Sequence, residues 1–250
     1  MKSIWITGAS SGIGKALAIK FANEGWQVAA SARREDLLNK IAESNKNISS
    51  FPLDVTDGEK CKEIFGQIKN KLQSIDICFF STGTWDPKKE KDIDVDQMKK
   101  VMNVNFFGTL NCIKAVEEYF REKNSGHISI VSSIAGYRGL PNSTGYGASK
   151  AALNNLAESL YFDFGRNNVR VSLISPGFIK TQMTDKNQFK MPFLKTAEYA
   201  ANKIYNGLIN GSSFEIDFPK ELTLILKFLK ILPDSLYFKI IKKLTKYQKR

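Results

Sequence analysis

The chain has 250 residues and a formal net charge of +12, with 37 Lys and Arg against 25 Asp and Glu. Apolar side chains make up 42% of it, enough to bury a sizeable core, which excludes disorder as the dominant state. Three scattered cysteines form no CxxC, and the lone histidine, His127, excludes any two-His metal site, so no metal is expected. There is no signal-peptide pattern and no run of 18 apolar residues, so a reducing, cytoplasmic setting is expected.

In chain order, short β-rich runs alternate with longer helical patterns. Strands are predicted at Lys2–Thr7, Gln27–Ala32, Ser49–Leu53, Ile75–Phe80, His127–Val131, Val169–Ile174 and Phe214–Ile216. Helices are predicted at Ile13–Glu24, Cys61–Leu72, Val95–Arg121, Tyr146–Arg166 and Thr196–Asn210. Such alternation indicates βαβ units, and continuous apolar strands suit a parallel sheet covered on both faces. The expected fold is α/β: a Rossmann-like, doubly wound parallel sheet forming a single domain over 1–220. A basic amphipathic helical appendage follows over 221–250.

The first strand runs into Gly8-Ala9-Ser10-Ser11-Gly12-Ile13-Gly14, and a helix follows. Glycines here let the backbone approach a pyrophosphate, and the helix N-terminus offers it free N–H groups. The second strand chooses the dinucleotide, since an acid at its end would bind a ribose 2′-hydroxyl. Ala32 stands there instead, followed by Arg33 and Arg34. Guanidinium groups hold a 2′-phosphate in a fork, which favours NADP(H) over NAD(H); the alternative is that the two arginines are solvated residues capping the strand. Asp54, beside Val55 at the end of the third strand, can accept from an adenine amino group. It could also cap the next helix, a task that suits Asp57 better.

Tyr146 and Lys150 open a helix four residues apart and share one face. A fixed ammonium favours the phenolate of a tyrosine whose ordinary pKa is about 10, bringing proton exchange toward neutral pH. Ser133 ends the preceding strand, thirteen residues upstream, where open α/β sheets bind ligands, and can hold a carbonyl oxygen beside the phenol.

The Thr7–Gly14 loop, Asn103-Val104-Asn105-Phe106-Phe107-Gly108, Val131-Ser132-Ser133, Tyr146-Gly147-Ala148-Ser149-Lys150 and Ser175-Pro176-Gly177 with Thr181 occur in that order. In these pieces, over roughly residues 2–185, the chain resembles the short-chain dehydrogenase/reductase family. The resemblance implies a catalytic tetrad of Asn105, Ser133, Tyr146 and Lys150. It also implies that Lys150 binds the nicotinamide ribose and that Asn105 holds a proton-relay water. Pro176, Gly177, Ile179 and Thr181 would lie against the nicotinamide. Where the family carries Asn-Asn-Ala-Gly, this chain has Phe80-Ser81-Thr82-Gly83. Gly83 still admits a cofactor, but the hydroxyls of Ser81 and Thr82 must replace amides that tie the central strands together.

Hydride transfer between a nicotinamide and a carbonyl/alcohol pair is the expected activity, in the direction of carbonyl reduction. The loops at 84–94, 136–145 and 182–194 carry Trp85, Tyr137, Leu140, Met183, Phe189, Met191 and Phe193, which fits an apolar substrate. An NADP-sensing regulator with little turnover is the alternative. No nucleic-acid partner is expected, because the tail has no arginine cluster.

Residues 221–250 hold eight basic residues against Glu221 and Asp234. After Pro233, over Ser235–Lys249, Leu236, Tyr237, Ile240, Ile241, Leu244 and Tyr247 share one helical side. Lys239, Lys242, Lys243, Lys246 and Lys249 share the other, and Phe238 is off the stripe. Such a helix suits an anionic membrane surface and peripheral attachment. The same stripe could instead pack on the domain or on a second subunit, and a homo-oligomer is expected.

Overall fold

Strand β1 (Ser3–Thr7) is buried along its whole length and alternates its side chains between two cores. Ile4 and Ile6 enter one, and Trp5 enters the other. The computed structural model describes residues 1–86, 93–187 and 190–245. Six further parallel strands join β1: β2 (Gln27–Ala32), β3 (Ile48–Pro52), β4 (Ile77–Phe80), β5 (Gly126–Val131), β6 (Val169–Pro176) and β7 (Glu215–Phe218). Their order is β3-β2-β1-β4-β5-β6-β7. The chain moves outward from β1 on one side, then returns to start β4 on the other. That reversal opens a crevice at the carboxyl ends of β1 and β4, where open α/β sheets take ligands.

Helices cover both faces, as the doubly wound reading requires. On one face lie α1 (Gly12–Asn23), α2 (Glu35–Glu43) and α7 (Ala197–Ile209), whose Leu17, Phe21, Leu38, Ile41, Ile204 and Leu208 pack on Ile4, Ile6, Val28 and Ala30. On the other lie α3 (Gly58–Leu72), α5 (Gly108–Lys123) and α6 (Thr144–Gly165). Their Ile64, Phe65, Val116, Phe120, Leu153 and Phe164 pack on Trp5, Phe80, Ile128 and Ile130. Asp57 caps α3 by accepting from the Lys60 N–H at 2.9 Å, the role the sequence reading preferred for it over Asp54.

Two differences from the sequence reading matter for function. The periodicity left α2 unassigned, because this short helix buries only Leu38 and Ile41. The stretch read as one helix over Val95–Arg121 is broken: α4 (Val95–Met102) passes through a π-helical turn at Asn103–Phe107 into α5. The widened turn redirects one residue out of register with the helix face, a device common at functional sites.

Beyond β7, α8 (Lys220–Lys230) and α9 (Asp234–Leu244) form a helical pair. The apolar stripe foreseen on the last helix turns inward at Tyr237 and Ile241, which are buried, and at Ile240, which is half-buried. These three pack with Leu140, Leu226, Leu229 and Leu232, while Leu236 and Leu244 of the same stripe are exposed. Tyr247, Lys246 and Lys249 lie outside the described residues.

Candidate active site

The loop after β1 holds Gly8 and Gly12 at positive φ, 71° and 55°. Gly14, in the first turn of α1, lies so close beneath that a Cβ on it would stand 2.4 Å from the Gly8 carbonyl oxygen. Any side chain there would push the loop away from α1 and close the space over the helix N-terminus. The Ser81 hydroxyl donates to the Thr7 carbonyl at 2.6 Å, and the Ser81 N–H donates to Thr7 Oγ1 at 3.2 Å. Ser81 thus ties the ends of β4 and β1 together in place of an amide. Thr82 contributes a buried hydroxyl without a partner among the described residues, and it lines the same crevice.

That crevice is a cleft of about 290 Å³. It gathers Gly8, Ser10, Ser11, Gly12, Ile13 and Gly14 from the loop, then Arg33, Arg34, Asp54 and Val55 from the ends of β2 and β3. Gly83, Ser133, Tyr146 and Lys150 line its middle, and Pro176, Gly177, Ile179 and Thr181 close its far wall. Of the four residues of the tetrad, Asn105 alone does not line the cleft, and it is fully buried. The sequence reading gave Thr82 only a strand-tying role and did not single out Gln182; both line the cleft, and Gln182 belongs to no motif whose spacing would mark it.

The two arginines part company. Arg34 turns back across the loop and donates to Ser10 Oγ at 3.0 Å, Ser11 Oγ at 2.9 Å and Gln182 Oε1 at 3.2 Å. It sits at the cap of α2, where the backbone changes direction, and that turn aims its side chain at the loop. Arg33 is exposed and makes no hydrogen bond or ion pair among the described residues. Asp54 accepts from Thr56 N–H and Oγ1 at 3.0 and 2.9 Å, which fixes its carboxylate at the cleft edge.

Lys150 is nearly completely buried and donates to the Val131 carbonyl at 2.9 Å. Its Nζ lies 5.6 Å from the centre of the Tyr146 ring. Burial lowers its pKa to about 8, which leaves it mostly cationic at neutral pH. Burial also raises the Tyr146 phenol above its ordinary value, while a hydrogen bond with the Ser133 side chain pulls it back down. Trp85 covers the phenol ring at a centroid distance of 5.6 Å.

Asn105 occupies the π turn. Its Oδ1 accepts from the Thr84 N–H at 2.7 Å; its Nδ2 donates to the Thr84 carbonyl at 3.2 Å and to Ser149 Oγ at 3.0 Å. It therefore clamps the strand end that carries Gly83 against the helix that carries Tyr146 and Lys150. The partner role of Ser149 went unread in the sequence; a small polar residue between Tyr146 and Lys150 was its only signal. His127, by contrast, is buried between β5 and β6, bonded through Nε2 to Ser172 Oγ at 2.8 Å. Burial lowers its pKa to about 3, so it is a neutral structural residue at physiological pH.

A parallel sheet with a glycine loop at its switch point, and Ser133, Tyr146 and Lys150 converging beside it, defines a nucleotide-binding α/β protein. The comparisons with known proteins narrow that class. The family model for short chain dehydrogenases matches residues 2–192. An uncharacterized oxidoreductase of Myxococcus xanthus is 32% identical over 236 residues, covering 93% of each chain. Another, from Staphylococcus epidermidis, is 34% identical over 213 residues, 85% of this chain and 93% of its own. Among solved structures, ElxO with NADP bound superposes with a TM-score of 0.74 at 28% identity, over 86% of this chain and 97% of its own. A short-chain dehydrogenase from Streptomyces avermitilis reaches 0.78 at 20% identity over 98% and 96%, a likeness of fold. The chain belongs to the short-chain dehydrogenase/reductase family and is an NAD(P)-binding oxidoreductase.

The residues present fit a dinucleotide. The glycine loop leaves room for a pyrophosphate, the Thr82 hydroxyl, without a partner among the described residues, offers a polar contact, and Arg34 and Tyr146 line one and the same cleft.

Proposed function

We propose that this chain is an NADP(H)-dependent reductase of an apolar carbonyl, interconverting it with the alcohol. The observation that carries the cofactor choice is the Arg34 guanidinium fixed across Ser10 and Ser11, with Ala32 where a carboxylate would repel a 2′-phosphate. The name of the relative ElxO, solved with NADP bound, supports the same choice.

When bound, the nicotinamide supplies the hydride; the protein supplies position and the proton. Ser133 holds the carbonyl oxygen beside the phenol. Tyr146 donates its proton to that oxygen, and the buried Lys150 cation stabilises the phenolate left behind. Asn105 keeps the Thr84 backbone and the Tyr146 helix in register. Met183, which lines the cleft, and Trp85, which lies against the Tyr146 ring, supply apolar contact for a substrate. Tyr137 and Leu140, from the same group of loop residues, are turned instead to packing: Tyr137 donates to Glu215 at 2.6 Å, and Leu140 joins the cluster under α9. Phe189 lies outside the described residues.

The test is Tyr146→Phe, which removes the phenolic proton and keeps the ring. Turnover of an aldehyde or ketone panel with NADPH should fall by about 10²–10⁴-fold, with NADPH binding retained. Wild-type rates in that variant would overturn the assignment.

A further inference from the structure

The helical pair at the C-terminal side is firmly docked. Arg138 donates from Nη1 to the carbonyls of Leu229, Lys230 and Leu232 at 3.3, 3.2 and 2.8 Å, closing the last turn of α8. Its guanidinium lies 3.9 Å over the Tyr237 ring and pairs with Asp234. Tyr237 in turn donates to the Gly139 carbonyl at 2.9 Å. With its inner side thus satisfied, α8 still carries a second apolar face. Leu224, Phe228 and Ile231 lie opposite Leu222, Leu226 and Leu229 at about 100° per residue, with Ile225 at the edge between them, and all four are exposed, Phe228 by 61% and Ile231 by 78%. Lys220, Thr223, Lys227 and Lys230 share a polar side, so α8 has two apolar faces, and only the inner one is covered among the described residues.

The charge around it decides what covers the other. Glu221 and Asp234, the only carboxylates after residue 220, are taken by Lys195 and Arg138. Lys230, Lys239, Lys242 and Lys243 are exposed and form no ion pair among the described residues. On α9 the three lysines are flanked by exposed Phe238 and Leu236. Two copies of this chain meeting here would bring these four unpaired lysines against four more. An anionic bilayer offers both apolar depth and negative potential. No described helix is long and apolar enough to cross a membrane, so the contact lies on the surface.

We propose that α8 and α9 form a docking surface for an anionic lipid bilayer. The outer face of α8 enters the acyl boundary, and the lysines of α9 meet the headgroups. The inner side of α8 gives this a consequence. Leu222 packs with Ile134, Tyr137 and Phe178, the residues that follow Ser133 and Gly177 of the cleft. The bilayer would therefore lie one helix away from the site, and the apolar carbonyl would be membrane-resident. This substrate class rests on the reductase reading; the docking does not, because vesicle binding is read without turnover.

The experiment is co-sedimentation of the full chain with vesicles of phosphatidylcholine alone or with about one-third phosphatidylglycerol. Wild type should pellet with the mixed vesicles. The exposed-site variant Phe228→Ser/Ile231→Ser should bind them at least tenfold more weakly. Lys239→Gln/Lys242→Gln/Lys243→Gln should lose roughly a hundredfold. Thermal melting checks that each variant stays folded. Absence of wild-type binding at low salt, or unchanged binding in both variants, overturns the proposal. So does light scattering that shows a dimer dissociated by Phe228→Ser/Ile231→Ser, which would assign the face to a second copy.

Discussion

Replacing Arg34 with Ala tests the cofactor assignment most directly. In the structure its guanidinium is fixed by Ser10 Oγ, Ser11 Oγ and Gln182 Oε1 at 2.9–3.2 Å, at the rim of the phosphate loop. Both cofactors share the pyrophosphate, and only NADPH adds a 2′-phosphate for Arg34 to meet. A hydrogen bond to a charged group contributes about 1.5–3 kcal/mol, or roughly ten- to a hundredfold in Kd. Arg34 is exposed, so screening places the expected loss toward the lower end, near tenfold at physiological salt. NADH should change by no more than about threefold, the share of lost neutral hydrogen bonds. The assay is fluorescence titration of both cofactors against wild type and variant, repeated at high salt, where the NADPH difference should shrink. Equal loss of both cofactors would refute the reasoning, as would a larger effect from Arg33→Ala.

Ser81→Ala should cost about 1–3 kcal/mol of stability, read by urea unfolding, because the Thr7 carbonyl loses its 2.6 Å donor; an unchanged midpoint would show that the β1–β4 tie is not needed. Asn105→Ala leaves both backbone groups of Thr84 unpaired, so turnover and thermal stability should fall together, and loss of neither would remove its positioning role. His127 titrates near pH 3 when folded and near 6.5 when unfolded, so the unfolded chain binds the extra proton between those values. Native stability should therefore be full above about pH 6.5 and fall as the pH drops, by up to about 1.4 kcal/mol per pH unit. Unfolding curves of His127→Asn should lack that part of the slope, and identical slopes would place His127 in contact with water.

Local pattern determined much of this protein. Buried strands alternating with amphipathic helices, a glycine-rich turn after the first strand, and Tyr146 four residues before Lys150 are features that neighbours in sequence impose on one another. They carried the sheet, the phosphate loop and the reaction class. Tertiary structure decided what depends on distant partners. Arg33 and Arg34 are equivalent as text; α2, too short to announce itself, turns Arg34 toward serines twenty-odd residues away and leaves Arg33 in solvent. Asn105 sits in what reads as an unbroken helix, and the π turn is settled only by the Thr84 backbone and Ser149 that it must reach. The stripe on α9 has one period whether it meets lipid or protein. Leu140 and Arg138, roughly a hundred residues away, turn Tyr237, Ile240 and Ile241 inward, and the outer face of α8 stays exposed. Periodicity fixes which side chains share a face, but only the rest of the chain fixes what that face meets.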